Sequence, residues 1–98
     1  TPQTLTNAQK KYLRGLGHHL TPIVYIGKEG LIDSVIDAAD TALAAHELIK
    51  VKIVNTSSVS KHEAAEIVPE RTGSSLVQLI GKTLLVYRKK ATMYVEFM

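Results

Sequence analysis

The stretch from Ile23 to Val35 constrains the fold of this chain more than any other, because an extended pattern stops at one glycine and a helical pattern starts at another. Ile23-Val24-Tyr25-Ile26 is β-branched and aromatic, and it runs into Gly27-Lys28-Glu29-Gly30. Two glycines three apart let the backbone take positive φ and approach a ligand without Cβ interference. The helix that follows turns its unpaired N–H groups back toward the loop. Such a place suits a phosphate. Lys28 at the tip adds a mobile positive charge, and Glu29 beside it subtracts one. Taken alone, G-x-x-G also describes any tight turn that feeds a helix, so the case has to come from context.

Ninety-eight residues fit one domain that can bury roughly 65% of its unfolded surface and hold a core without staples. With 45% hydrophobic and 21% charged residues the chain reads as globular rather than disordered. Its apolar runs fall far short of the roughly 20 residues that span a bilayer, so no membrane partner is expected. The absence of cysteine removes disulfides and thiolate metal sites. The first residues lack the basic-then-apolar pattern of a signal peptide, and a cytoplasmic location is expected.

The net charge of +3 is modest, but the charges come in blocks. Residues 1–28 carry Lys10, Lys11, Arg14 and Lys28 with no acid. Residues 29–47 carry Glu29, Asp33, Asp37, Asp40 and Glu47 with no Lys or Arg. Lys50, Lys52 and Lys61 follow, then Glu63, Glu66 and Glu70, and then Arg71, Lys82, Arg88, Lys89 and Lys90 before a late Glu96. If the acidic blocks fall on helices and the basic ones on another surface, the molecule has one positive side, which attracts polyanions.

Thr6-Asn7-Ala8-Gln9 has capping-box spacing and predicts a helix over about 7–16, with Leu5, Ala8, Tyr12 and Leu16 as its apolar stripe. Gly15, Gly17 and the His18-His19 pair read as helix exit, closed by Pro22. Adjacent histidines point apart on a helix and have no acid or cysteine beside them, so a polar helix end outweighs a metal site. Ile23–Ile26 is a short strand, apolar on both faces, which suggests an interior position or burial by a flanking helix. A second helix is predicted over about 31–46, with Ile32, Val35, Ile36, Ala39, Ala42 and Leu43 inward and Asp33, Asp37 and Asp40 on a solvated face. Residues 48–54 alternate, with Ile49, Val51 and Ile53 on one side and Lys50 and Lys52 on the other, so one sheet face is partly wet and positive. Ser60-Lys61-His62-Glu63 opens a third helix with Ala64, Ala65, Ile67 and Val68 inward. Pro69 is expected to bend or tighten it before Gly73 ends it. Leu76–Ile80 and Thr83–Arg88 form a hairpin around a Gly-first turn at Gly81-Lys82. Gly81-Lys82-Thr83 is not a phosphate-binding P-loop, because the first glycine of that motif would have to stand where Leu76 does. Residues 91–98, with Tyr94, Val95 and Phe97, read as an edge strand or a tail.

The order is α-β-α-β-α-β-β with G-x-x-G between the first strand and second helix. With His46-Glu47-Leu48-Ile49-Lys50-Val51-Lys52, Arg71-Thr72-Gly73 and Ile80-Gly81-Lys82-Thr83-Leu84-Leu85-Val86-Tyr87-Arg88 in place, the chain resembles the CRM domain family (chloroplast RNA splicing and ribosome maturation) over residues 5–90. The likeness is closest to its bacterial stand-alone, YhbY-type form. The resemblance implies an α+β fold, a two-layer α/β sandwich with a four-stranded mixed sheet in order 1-2-4-3, similar to the C-terminal domain of translation initiation factor three. It also implies RNA binding through the loop, as in KH domains, and a role on large ribosomal subunit precursors. Gly27 and Gly30 would then provide backbone approach, with Lys28, Lys10, Lys11 and Arg14 as surrounding charges. In the implied strand order the Arg88 strand lies beside that of Lys50 and Lys52, which puts these three on one surface. Glu29 departs from the basic residue common at its position in the family.

The expected function is therefore non-catalytic binding of ribosomal RNA or large-subunit precursors by a monomer, with no cofactor, metal or small-molecule substrate. The competing reading is a protein-interaction or self-association module using the sheet face or the tail. An enzyme is disfavoured, because the four histidines stand at no informative spacing from an acid or nucleophile. Aromatics are few, and Tyr12, Tyr25 and Tyr87 are expected in the core, so backbone and shape recognition should outweigh base stacking.

Overall fold

In the computed structural model, which describes residues 5–89, the chain forms α1 (Asn7–Gly17), β1 (Val24–Ile26), α2 (Asp33–His46), β2 (Leu48–Ile53), α3 (Lys61–Thr72), β3 (Ser75–Ile80) and β4 (Thr83–Tyr87). The tail expected over residues 91–98 lies outside the described residues. The Thr6 hydroxyl accepts from the Gln9 N–H at 3.1 Å and the Gln9 side chain accepts from the Thr6 N–H at 2.9 Å, so the box that starts α1 is complete. At α3 the Ser60 hydroxyl accepts from the Glu63 N–H at 3.0 Å. Gly81 turns the hairpin with φ of 57° and Lys82 does not share the positive φ, as a Gly-first turn requires.

The strands form one sheet in order β1-β2-β4-β3, with β1 parallel to β2 and the other pairs antiparallel. Parallel strands need a crossover, and α2 supplies it. One sheet face carries Val24, Ile26, Ile49, Val51, Ile53, Leu84 and Val86, which pack with Ala39 and Leu43 of α2 and Ala64 and Val68 of α3 into the main core. The α+β class and the sheet order are those the family resemblance implies, but the two-layer arrangement holds only for α2 and α3 on this face. α1 lies on the other face, where Leu5 and Leu13 pack against Val77 and Leu85 in a second, smaller cluster. A bulge supports this packing. Leu76 pairs with Val86 and Gln78 with Leu85, so Val77 is an extra residue, and both Val77 and Gln78 turn toward α1.

Two expectations change and a third is extended. β1 is an edge strand. α2 buries Val24 and Ile26, but Ile23 and Tyr25 on its other face are 48% and 53% exposed. α3 runs as α-helix straight through Pro69 to Thr72. Pro69 stands in the last turn, where its buried ring packs inward. The Pro69 carbonyl accepts from the Gly73 and Ser74 N–H groups, and the Thr72 hydroxyl donates to the Val68 carbonyl at 2.7 Å. Gly17 ends α1 as expected, but it is also a packing residue, since a Cβ there would meet the Leu85 methyls at 2.6 and 2.8 Å. At Gly15 a Cβ would meet nothing within 4 Å.

This contrast sets a prediction. Gly15→Ala removes a helix-interior glycine in open space and should stabilise the chain by about 0.5–1 kcal/mol. Gly17→Ala should lift α1 from the sheet and cost about 1–3 kcal/mol, through overpacking of a buried leucine. Urea unfolding of both variants measures the difference.

Candidate nucleic-acid interface

The loop at the end of β1 is a turn closed by the Gly30 N–H on the Gly27 carbonyl at 3.0 Å. Gly30 is buried with φ of 80°, which favours glycine, and a Cβ on it would crowd a Val59 methyl at 3.1 Å. Gly27 differs from expectation: its φ is not positive and a Cβ would meet nothing within 4 Å. Its role is reduced to leaving the approach open. Lys28 and Glu29 are exposed at the tip.

Behind the turn, α2 begins at an N-cap, Ile32, whose side chain cannot accept a hydrogen bond. Among the described residues, the backbone N–H groups of Lys28, Glu29, Asp33 and Ser34 find no acceptor. Those of Asp33 and Ser34 are the orphan donors of a helix start, and those of Lys28 and Glu29 belong to the turn before it, whose tip carries an ammonium. The nearest carboxylate in sequence after Glu29, that of Asp33, is paired with Arg71 of α3 at 3.3 Å, which offsets part of its charge. Gly27, Lys28, Glu29, Gly30, Ile32 and Val35 line a shallow recess of about 290 Å³ at this place.

The strand ends bring further charges to this end of the sheet. The Val54 N–H donates to the Ile26 carbonyl at 3.0 Å and the Ile53 N–H to the Lys82 carbonyl at 2.8 Å, so the loop, the end of β2 and the hairpin turn lie side by side. Lys50 and Lys52 both point to the α1 face, Lys52 exposed and Lys50 half-buried. Lys50 and Arg14 line one groove of about 510 Å³ between the end of α1 and the sheet, together with Gly17, His18, Gln78 and Leu85, and no acidic side chain lines it. Lys10 stands one turn before Arg14 on α1, with exposed Lys11 beside it. The acids Asp33, Asp37, Asp40, Glu63, Glu66 and Glu70 belong to α2 and α3 on the opposite face. The charge blocks of the sequence thus separate in part, with Lys61 and Arg71 on α3 among the acids.

Arg88 does not join the positive side. Its strand is next to that of Lys50, but its side chain turns to the helical face. There one guanidinium nitrogen bonds the Asp40 carboxylate and the Thr72 carbonyl at 2.8 Å, and the other bonds the Asp40 carbonyl at 3.0 Å. It ties α2 to the end of α3 and is only 24% exposed. Its identification as a surface cation failed because side-chain parity, and not strand adjacency, decides the face.

The aromatic residues also depart from expectation. Tyr12 is 67% exposed, and Tyr25 stands in the open on the lysine face. Alternation with buried Val24 and Ile26, combined with an edge position, was the signal that could have placed Tyr25 outside. Tyr87 is half-buried beside the α1 cluster. Burial holds its phenol above the ordinary value, and the hydrogen-bonded Glu47 carboxylate adds to the rise. Among the described residues, no three His, Asp or Glu side chains gather in a way that could hold a metal.

A family model described as the CRS1 / YhbY (CRM) domain matches residues 5–88. The chain is 42% identical over 85 residues to a Bacillus subtilis protein named "Probable RNA-binding protein YqeI", covering 87% of this chain and 88% of that one. It is 40% identical over 85 residues to a Haemophilus influenzae protein named "RNA-binding protein", covering 87% and 86%. Its fold is similar to the solution structure of the hypothetical protein SAV1595 from Staphylococcus aureus, with a TM-score of 0.78, 41% identity and coverage of 92% and 94%.

The two loop glycines should behave differently. Gly30→Ala has to adopt positive φ against Val59 and should cost about 1–3 kcal/mol in urea unfolding, while Gly27→Ala should change stability by less than about 0.5 kcal/mol. Arg88→Gln, which breaks the link among β4, Asp40 and Thr72, should lower the unfolding midpoint by an amount equivalent to about 1–2 kcal/mol.

Proposed function

The chain belongs to the CRS1/YhbY (CRM) domain family, and from that premise we propose that it is a non-catalytic RNA-binding protein whose G-x-x-G loop grips the sugar-phosphate backbone. The observation that carries this reading is the set of unpaired N–H groups at Lys28, Glu29, Asp33 and Ser34, at the same end of the sheet as the backbone of Lys52 and Lys82. Backbone amides at a helix start bind phosphate oxygens by geometry and by the helix dipole, and surrounding cations release counterions from the nucleic acid. Lys10, Lys11, Arg14 and Lys50 extend the positive surface over the α1 face. Binding of this kind positions RNA by its backbone and shape. Relatives named as RNA-binding proteins support the same class of partner. Ribosomal RNA in large-subunit precursors is the partner that the family resemblance implies, and it is proposed here as such.

A second reading is favoured by one observation. Leu16, Leu20 and Ile23 are exposed together and line one recess with Leu48 and His46, an apolar patch suited to a protein surface or a second copy. Sedimentation over a range of concentrations tests self-association. A monomer throughout removes it, and a dimer broken by Leu16→Glu supports it.

RNA binding itself is tested by titrating a structured ribosomal RNA fragment at several salt concentrations. Affinity should fall linearly on a log–log plot. Lys28→Glu should weaken binding and flatten the slope by about 1, with an unchanged melting temperature. Glu29→Lys should bind more tightly than the parent. Salt-independent binding, or a Lys28→Glu protein that binds as the parent does, would remove the loop from the interface.

A further inference from the structure

The part of the sheet that α1 leaves uncovered carries a row of four residues, one from each strand. Tyr25 of β1 pairs with Lys52 of β2, Lys52 with Thr83 of β4, and Thr83 with Ile80 of β3. Residues opposite one another in a ladder point to the same face, so all four side chains stand on the α1 side. With strands about 4.8 Å apart, the row runs roughly 14 Å across the sheet. Tyr25 at one end and Ile80 at the other are 53% and 63% exposed, and Lys52 between them is exposed as well. An exposed aromatic alone needs no explanation. Here it stands two residues before the loop, shares a row with the exposed Lys52, and lies on the same sheet face as a groove lined by Arg14, Lys50, Thr83 and Ile80 and by no carboxylate.

We propose that this row is a platform for an unpaired stretch of RNA, with a base stacked on the Tyr25 ring, the following backbone beside Lys52, and a further base or sugar against Ile80. The proposal deepens the RNA-binding reading and rests on it, since the loop would hold the backbone from which the unpaired stretch continues. The Tyr25 hydroxyl donates to the Pro22 carbonyl at 3.3 Å, which restrains the ring before ligand arrives and lowers the entropy lost on stacking. A base inside a duplex has both faces covered by its neighbours, so an aromatic platform selects nucleotides free of pairing. The amide loop makes no such distinction. The molecule therefore combines a backbone grip with a test for single-strandedness, as a reader of helix-to-loop junctions requires.

The two parts separate by their salt dependence. Stacking is not electrostatic, so the loss from Tyr25→Ala should be the same at low and high salt, whereas the loss from Lys28→Glu should shrink as salt rises. The probes are an unstructured single-stranded RNA octamer and a blunt RNA duplex of mixed sequence, each read by fluorescence anisotropy. Tyr25→Ala should lower affinity for the single strand by about tenfold and for the duplex by less than about twofold, and Tyr25→Phe should stay within about twofold of the parent on both. Because Tyr25 is outside the core, Tyr25→Ala should melt with the parent protein. Unchanged affinity of Tyr25→Ala for the single strand, or equal loss on both probes, would overturn the platform while leaving the loop reading intact. A folded parent protein that binds neither probe would overturn the RNA-binding reading, and the platform with it.

Discussion

The parallel pairing of β1 with β2, in the register Val24 to Val51 and Ile26 to Ile53, is the constraint from which the rest of the molecule follows. These four side chains are buried in the main core, and a slip of β1 by one residue against β2 would turn Val24 and Ile26 outward. Burial of apolar side chains therefore determines the register, and the register determines what the other face presents. Tyr25 and Lys52 are outside because their neighbours are inside. Parallel pairing also requires the crossover through α2, which forces a sharp turn at the end of β1 and starts a helix there. The open amides and the glycine at positive φ are consequences of that geometry.

The same construction separates charge. α2 and α3 cover one face and keep their acids on the outside, with Asp33 and Asp40 drawing Arg71 and Arg88 to that side. The other face receives α1, whose segment of the chain contains no acid, over strands that present Lys50 and Lys52. An excess of positive charge on one face would, on the proposed reading, draw a polyanion to that face before any specific contact is made. The proposed contacts would follow there, with amides at the loop and an aromatic ring at the adjacent strand.

Much of this was legible in the chain itself. The capping residues of α1 and α3, the alternation in β2 and the glycine in the hairpin turn each act over a few neighbouring residues, and each element stands where those signals place it. The strand order came with the family resemblance, and the sheet has that order. What was not legible depends on contacts distant in sequence. Gly17 ends its helix as the sequence suggests, but its second role, making room for Leu85, shows only when that strand is placed against it. Pro69 looks like a bend or a tightening until its position in a last turn, with its carbonyl serving two donors, is known. Arg88 reads as a surface cation, but Asp40 and the Thr72 carbonyl, 48 and 16 residues away, turn it into a clamp. At the loop the motif was visible, while the unequal roles of Gly27 and Gly30 depended on Val59 in another segment.

The central claim is that amides at the β1–α2 turn contact nucleic acid directly. Nitrogen-15 labelled protein titrated with a ribosomal RNA fragment, observed through its backbone amide resonances, reads those groups one by one. The account predicts that Lys28, Glu29, Asp33 and Ser34 shift at the lowest RNA ratios, followed by residues of the α1 face, with the outer surfaces of α2 and α3 unmoved. Shifts confined to those outer helical surfaces, with the turn silent at saturation, would contradict it.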